Sequence, residues 1–434
     1  MVYISLGSNL GNRISNLRKA IDLLKDGVLY NHYDSIVIET KAILKENSPA
    51  SWNKPYLNMV IVGDTNLSPR ELLNKLWEIE KKVGRVITKE RWAPRVIDLD
   101  ILLYDSATIQ EPDLCIPHLE LLNRDFLLHL LAMMPKQYMP MISLDGNIVS
   151  AAEYAKDIPY KDDLFERSFI IGPQIVGILN ITQDSFSDGG KYLQIEEAVI
   201  HAHKLIQDGA EIIDIGAQST KPGAKQTVGP MMEYERISRV LEAFSSIDVD
   251  LSIDTYHPEV IKKILGKYKI SFINDVSGNL DDTTLHKIAA SKCKIISMHS
   301  LSIPPNKYTV LPYNVDVIDY LNVWSKQKLT QLINCGFNTE QIVLDPGIGF
   351  GKSLYQNLEL IRSMKKFRSI GCKTMIGHSR KGFINAFYKS LPLERDLETA
   401  VISCSLIDTV DYIRVHSIQE HYRIFVAKKI SQCD

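Results

Sequence analysis

No stretch of this chain approaches the roughly 20 apolar residues of a membrane span. The longest apolar run near a helix, residues 126–134, is interrupted by His129. Excess charge of either sign is also lacking: 50 Lys and Arg oppose 52 Asp and Glu, a net charge of −2. That balance removes the usual electrostatic basis for binding nucleic acid. Cysteine is sparse and scattered, at positions 115, 293, 335, 372, 404 and 433, without a CxxC pair. The spacing argues against a zinc site or a disulfide-stapled scaffold and fits reduced thiols in a cytosolic protein. The opening MVYISLGSNLGN has no basic segment ahead of an apolar core, so no secretory signal is expected. The expectation is a cytoplasmic protein with neither a membrane nor a nucleic-acid partner.

What the chain does have is ordinary globular composition, 45% hydrophobic and 24% charged, which excludes the disordered, collagen-like and coiled-coil classes. The length of 434 residues allows two to four domains, or two if one is a barrel of about 250 residues. KDIPYKDDLFER, residues 156–167, is charge-dense and Pro-interrupted, which marks a domain boundary. We therefore expect domains at 1–157 and 169–434 with a linker at 158–168. A surface loop within one domain is the alternative.

Beyond that boundary, eight short apolar runs alternate with amphipathic helical stretches: IVGILNIT, EIIDIGA, DLSIDT, ISFINDV, KIISMHS, IVLDPGIG, KTMIGHS and YIRVHS. Each is nearly all apolar and rich in β-branched residues, as parallel strands buried on both faces are. Eight βα units predict a TIM barrel, with an open doubly wound sheet as the alternative. The first segment predicts a compact α+β domain. Its strands fall near 2–6, 33–40, 57–62 and 96–103, and its helices near 14–25 and 69–83.

RWAPRVIDLDILLY, residues 91–104, concentrates chemistry. In a strand, Asp98 and Asp100 share one face about 7 Å apart. Such a pair can hold Mg²⁺ ions that bridge nucleotide phosphates. Arg85, Arg91 and Arg95 lie just upstream, where guanidinium forks suit phosphate oxygens, and Trp92 can stack on a flat ring. An acidic strand edge paired with neighbouring arginines is the plainer alternative.

This stretch strongly resembles the signature of hydroxymethyl-dihydropterin pyrophosphokinase. ISLGSNLGNR, PYLNMV and IPHLELLNRDF follow the family's order and spacing. The resemblance implies a ferredoxin-like fold that transfers the terminal diphosphate of ATP to a pterin alcohol and releases AMP. It also implies that Asp98 and Asp100 hold two Mg²⁺ ions. Arg85, Arg95 and His118 would touch the triphosphate, with Arg124 nearby, and Tyr56, Asn58 and Phe126 would hold the pterin. Ala93 stands where the family usually has Gly.

Barrel enzymes carry their sites at the carboxyl ends of the strands. Those ends read Asn180, Asp214, Asp254, Asn274 with Asp275, His299, Asp345, His378 with Ser379, and Arg414 with His416. A polar group closing every strand predicts a site at one mouth. DPGIGFGKS suggests a phosphate-cradling loop, but Pro346 occupies the first glycine position of GxxxxGK[ST], which excludes a Walker A.

GILNITQDSFSDGG, IDIGAQSTKPG, SIDT, INDVSG, DPGIGFGK, SRKGF and RVHS together resemble dihydropteroate synthase. The resemblance implies displacement of diphosphate from the activated pterin by p-aminobenzoate. By position, Asp254, Asn274, Asp345 and Lys381 form the pterin pocket, while Asn180, Arg414 and His416 bind diphosphate. Asp188 joins Asn180 around Mg²⁺, and Phe186, Ser219, Thr220 and Pro222 shape the aminobenzoate pocket. A homodimer through the barrel is a family-based expectation.

The sequence departs from the family pattern at Gln183, where Pro is usual, and at Ser417, where Asp is common. It departs again in GAQSTKPG, where GGESTRPG is typical, so Gln218 replaces a carboxylate and Lys221 an Arg fork. Two rival readings remain: a methyltetrahydrofolate-binding methyltransferase barrel, and a pterin-binding scaffold without activity.

Overall fold

The computed structural model describes the chain apart from residues 45–47, 87–89, 91–92, 145–146, 157, 159–165, 182–190, 219–227, 246, 307 and 432–434. Its contacts separate two units, Met1–Ile171 with Tyr422–Asp434, and Gly172–His421.

The first unit runs β1 (Val2–Ser8), α1 (Arg13–Lys25), β2 (Tyr30–Asp34), β3 (Val37–Thr40), β4 (Tyr56–Asp64), α2 (Pro69–Val83) and β5 (Asp98–Tyr104). The hairpin of β6 (Ile109–Glu111) with β7 (Leu114–Ile116) follows, then α3 (Asp125–Ala132). A second hairpin, β8 (Met141–Leu144) with β9 (Asn147–Ser150), leads into α4 (Ala151–Ala155) and β10 (Ser168–Phe169). The main sheet has the antiparallel order β10-β3-β4-β1-β5, with β2 also on β4. With α1 after β1 and α2 between β4 and β5, this is the expected ferredoxin-like arrangement. α2 shows how locally the helices are specified. Ser68 caps it in a reciprocal pair with Glu71, Pro69 opens its first turn, and Gly84 ends it at φ +118°.

The single strand expected at 33–40 is divided into β2 and β3. Asp34 lies opposite Ile61 and Ile38 opposite Asn58, so one extra residue bulges out. The Ser35 hydroxyl accepts the Val60 N–H at 2.9 Å and donates to Ile36 O at 2.7 Å, replacing a ladder bond. The unit also takes in more chain than residues 1–157. Ser168 and Phe169 pair with Ile38 and Val37, Phe169 meets Tyr422 edge-on at 4.9 Å, and Lys429 lies 4.1 Å from the Tyr33 ring.

The second unit begins with β11 (Gln174–Asn180), α5 (Lys191–Gln207), β12 (Ile212–Gly216), α6 (Pro230–Ala243), β13 (Asp250–Asp254), α7 (Pro258–Leu265), β14 (Phe272–Asp275) and α8 (Asp282–Ala290). It continues through β15 (Lys294–Met298), α9 (Val317–Asn334), β16 (Ile342–Asp345), α10 (Leu354–Arg362), α11 (Met364–Phe367), β17 (Lys373–Ile376), α12 (Asp396–Ser405) and β18 (Tyr412–Val415) to the start of α13 (Ile418–Ser431), which from Tyr422 onward belongs to the first unit. β11 to β18 pair in sequence and close as a parallel barrel, as expected from the run pattern. Val176, Ile212, Phe272, Ile296, Val343, Met375 and Tyr412 form one buried cluster inside it. This apolar plug fills the barrel below the site.

Two candidate active sites

In the first unit, the register sets Gly7 opposite Asn58 on one side and Asp98 on the other, with Ser5 opposite Asp100. Opposed residues share a face, so Tyr56, Asn58, Asp98 and Asp100 converge. Gly7 keeps the ground between them clear, because a Cβ there would stand 3.2 Å from Asn58 Oδ1. Asn58 is held by its own amide, which donates to Thr40 Oγ1 at 2.8 Å.

Asp98 Oδ1 accepts from Arg85 Nη1 and Arg95 Nη1, both at 2.7 Å. Arg85 is braced from behind by Glu80, which also accepts the Leu99 N–H at 2.9 Å. Burial pushes the Glu80 carboxyl up to about 7 against the pull of Arg85. Arg95 is fixed through its backbone, its N–H donating to Asn9 Oδ1 at 2.7 Å. Burial and then the charge of Asp98 raise the Asp100 carboxyl, while His118, Arg124 and Arg95 oppose the shift. His118 Nε2 lies 4.0 Å from Asp100 Oδ1, and its Nδ1 accepts the Glu120 N–H at 3.2 Å. Arg124 precedes α3 and Phe126 sits half-buried in its first turn. Two neighbouring carboxylates therefore stand among Arg85, Arg95 and His118, a mixture of charges that can take up an anion on the guanidinium side and a cation on the carboxylate side. Arg91 and Trp92 lie outside the described residues.

In the barrel, side chains two apart along a strand face the same way. The plug residues therefore fix which others point inward: Asn180, Asp214, Asp254, Asn274, Asp345 and Arg414 share their parity. A polar layer lies directly above the apolar one. Arg414 spans it, with Nε on Asp214 Oδ2 at 2.6 Å and Nη2 on Asp254 Oδ2 at 2.8 Å. Asn274 Nδ2 donates to the same Asp214 oxygen at 3.0 Å. Asp345 Oδ1 accepts the Gly347 N–H at 2.7 Å.

Burial pushes Asp254 up to about 7, with Arg414 opposing, and Asp345 up to about 6. Burial and then Arg414 bring Lys381 down to about 8, and its ammonium lies 4.1 Å from the Phe350 ring centre. Asp214 Oδ1, Asn274 Oδ1 and Ser252 Oγ are buried without a hydrogen-bond partner among the described residues. Gly216 lies between Asn180 and Asp254 in register, and Gly377 next to Asp345 Oδ2, 3.5 Å from where a Cβ would be. Both leave the floor open.

Not every polar strand end reaches the mouth. Asp275, His299 and His378 have the opposite parity and face outward. Asp275 accepts from Ser277 N and Oγ. His378 Nε2 contacts Thr399 O and Ser403 Oγ on α12, each at 3.1 Å. His299 Nδ1 lies 2.7 Å from Lys352 Nζ, and burial followed by that neighbour takes its pKa down to about 3. Lys352 also donates to His299 O and Phe350 O. It is consumed by Phe350 O in its own loop and by His299 at the end of β15, in keeping with the absence of a Walker A. His416 Nδ1 meets Ser379 Oγ at 2.9 Å.

Asp214 was named by sequence among the polar strand ends and given no role there, yet it is the hub of the inner layer. Its signal was a carboxylate flanked on both sides by isoleucine in EIIDIGA, where a charge is rarely buried unless paired. Phe186, Asp188, Ser219, Thr220 and Pro222, with Gln183 and Lys221, lie outside the described residues.

Comparison with known proteins matches residues 3–136 to the 7,8-dihydro-6-hydroxymethylpterin-pyrophosphokinase family and residues 176–416 to the pterin binding enzymes. The folate synthesis bifunctional protein of Chlamydia caviae is 37% identical over 98% of this chain and 97% of its own length. Its counterpart in Chlamydia trachomatis is 38% identical over the same shares. Dihydropteroate synthase from Clostridium difficile, solved in the presence of pteroic acid, superposes with a TM-score of 0.54 at 32% identity. It covers 62% of this chain and 98% of that one. The Anaplasma phagocytophilum synthase with bound 6-hydroxymethylpterin-monophosphate gives 0.51 at 30% identity, covering 61% and 98%.

Proposed function

The chain belongs to the folate synthesis bifunctional proteins, and from that membership we propose which residues carry its two reactions. The first unit transfers diphosphate from ATP to 6-hydroxymethyl-7,8-dihydropterin and releases AMP. The barrel condenses the product with p-aminobenzoate to 7,8-dihydropteroate and releases diphosphate.

In the first reaction the pterin alcohol oxygen attacks the β-phosphorus of ATP, and the bond to the α-phosphate oxygen breaks. Tyr56, Asn58 and Phe126 hold the pterin, and Trp92 stacks on a ring. Arg85, Arg95, His118 and Arg124 gather the triphosphate. Asp98 and Asp100 hold Mg²⁺, which supplies charge neutralisation and orientation to the phosphates. Burial and then the neighbouring Asp98 charge raise the Asp100 carboxyl, and the second of these supports a cation there. Such transfer needs little covalent help from the protein, and none of these residues is a nucleophile.

In the barrel, Asp254, Asn274, Asp345 and Lys381 hold the pterin ring. The observation that carries this reading is the buried polar layer with unpaired acceptors on Asp214 and Asn274. An unpaired buried group costs about 1–3 kcal/mol, and a ring rich in amide-like donors relieves that cost. Asn180, Arg414 and His416 take the diphosphate; Arg414 Nη1 takes part in neither carboxylate bond. Asp188 with Asn180 holds Mg²⁺, and Phe186, Ser219, Thr220 and Pro222 shape the aminobenzoate pocket. The C–O bond breaks first, the pterin spreads the positive charge, and the neutral aniline nitrogen attacks and then loses a proton. Cationic groups stabilise the departing diphosphate.

Among the described residues no helix is long and apolar enough to cross a membrane, which agrees with a cytoplasmic location. Phe387, Leu391, Leu393, Leu397 and Val401 expose an apolar stripe on and before α12, each more than half exposed. The stripe suits a second copy of the chain, which light scattering of the purified protein tests.

The decisive assay supplies ATP, Mg²⁺, hydroxymethyl-dihydropterin and p-aminobenzoate and quantifies AMP and dihydropteroate together. Both products are expected. AMP alone would return the methyltransferase reading of the barrel, and neither product would return the scaffold.

A further inference from the structure

The buried face of α12 carries Thr399, Ala400 and Ser403, and the Ser403 hydroxyl lies between two buried imidazoles. His421, in the first turn of α13, meets it through Nε2 at 2.9 Å. His378, just past β17, meets it through Nε2 at 3.1 Å. Burial takes the pKa of each ring down to about 4, so both are neutral at pH 7 and each carries one ring hydrogen. The roles then follow from counting. His421 Nδ1 lies 2.5 Å from Ser417 O; a carbonyl only accepts, so that nitrogen holds the hydrogen and Nε2 accepts from Ser403. With its own hydrogen spent, the Ser403 oxygen accepts from His378 Nε2, which also donates to Thr399 O at 3.1 Å. His378 Nδ1, buried without a partner among the described residues, is left as the bare nitrogen, and no N–H is orphaned there. One chain of hydrogen bonds thus runs from His378 through Ser403 and His421 to Ser417 O.

We propose that Ser403 is a positioning residue for the diphosphate end of the barrel site, bracketing the Ser379–His416 pair by gripping the residue on each outer side of it. The inference rests on the assignment of His416 to diphosphate. The β17–β18 ladder ends at Ile376 and Ile413, so strand pairing no longer aligns the two chains where they reach the mouth. Two other links do so. In front, Ser379 Oγ accepts the His416 N–H at 3.3 Å and meets its Nδ1 at 2.9 Å. Behind, the chain through Ser403 holds His378, which immediately precedes Ser379, and Ser417, which immediately follows His416. Neighbouring groups of the site are fixed by other means. Arg380, next to Lys381, bonds Asp396 through Nε and Nη2, both at 2.7 Å, and its carbonyl accepts from Arg395 Nη1 at 3.0 Å. Arg414 is tied to Asp214 and Asp254. Loss of the Ser403 hydroxyl therefore falls on His416 and the departing diphosphate rather than on the seated pterin.

The test is dihydropteroate formation by the full-length chain from supplied pterin diphosphate and p-aminobenzoate, without ATP, with inorganic pyrophosphate and 6-hydroxymethylpterin as inhibitors in turn. Both inhibition constants then report on the barrel alone. Ser403→Ala should raise the inhibition constant of pyrophosphate about fivefold, the loss of about one hydrogen bond, and lower kcat by about the same factor. The inhibition constant of 6-hydroxymethylpterin and the KM for p-aminobenzoate should stay within about twofold, a split that general loosening of the barrel would not produce. Equal changes in all four quantities, or no change in any, would overturn the proposal. If Ser403→Ala does not fold, Ser403→Cys, which fills the same place with a weaker donor, carries the same test. His416→Ala separates the two levels. Should it weaken pyrophosphate while Ser403→Ala does not, the bracket is wrong and the diphosphate assignment stands; should neither weaken it, the diphosphate assignment fails and the bracket with it.

Discussion

Replacing Arg414 with Ala removes the one guanidinium that joins Asp214 and Asp254, which are 0% and 12% exposed. The placing of Arg414 on the diphosphate implies that this slows chemistry far more than it weakens pterin binding. The structure predicts more. Breaking a buried pair by deleting one partner costs about 3–5 kcal/mol, because the remaining charge stays buried without compensation. For a domain of this size that lowers the barrel's thermal midpoint by roughly 6–20 °C. The loss also depends on pH. Asp254, already pushed up to about 7 by burial, is held down by Arg414 ahead of any other cation; without it the carboxyl shifts higher still. A carboxyl raised in the folded state binds protons that the unfolded chain has released, so its stability contribution falls as pH rises through that window. The deficit relative to wild type should grow above about pH 7, by up to about 1.4 kcal/mol per pH unit. Thermal unfolding at pH 6.5 and 8.5 measures it. Arg414→Met with Asp214→Asn should recover much of the midpoint without recovering dihydropteroate formation. An Arg414→Ala midpoint equal to wild type at both pH values would refute the reasoning.

Asp98→Asn should lower AMP formation by about 10²–10³-fold, since it unseats Arg85 and Arg95 together, and should leave dihydropteroate formation from supplied pterin diphosphate unchanged; a coupled AMP assay decides. Lys381 is brought down to about 8, so kcat/KM for the pterin diphosphate should fall as pH rises through 8 and the ammonium deprotonates. Lys381→Arg, charged throughout this range, should lose that alkaline limb whatever its absolute rate. Gly347→Ala places a Cβ 2.0 Å from His299 O at φ +72° and should cost more than about 3 kcal/mol. Gly382→Ala, with nothing within 4 Å, should change the urea midpoint little.

Much of this molecule was legible before any coordinates. The eight apolar runs became the barrel strands because parallel strands buried on both faces are apolar throughout. α2 begins at Ser68 and Pro69 and ends at Gly84, matching the 69–83 span expected from sequence. The DxD strand presents both carboxylates on one face because the side-chain period in a strand is two. These are local properties, set by neighbours within a few positions. Tertiary structure alone decided the rest. A strand apolar on both faces gives no sign of which face is inside, so Asn274 and Asp275, adjacent and both polar, could not be told apart until barrel closure fixed their parity. Pairing partners far apart in sequence were equally hidden: Arg414 with Asp214, 200 residues away, Gln218 with Tyr256, and β10 with β3. Sequence determined which chemistry was present and on which elements. Closure of the barrel and sheet pairing decided which of those groups face one another, because long-range register follows from packing the whole chain and from no local preference.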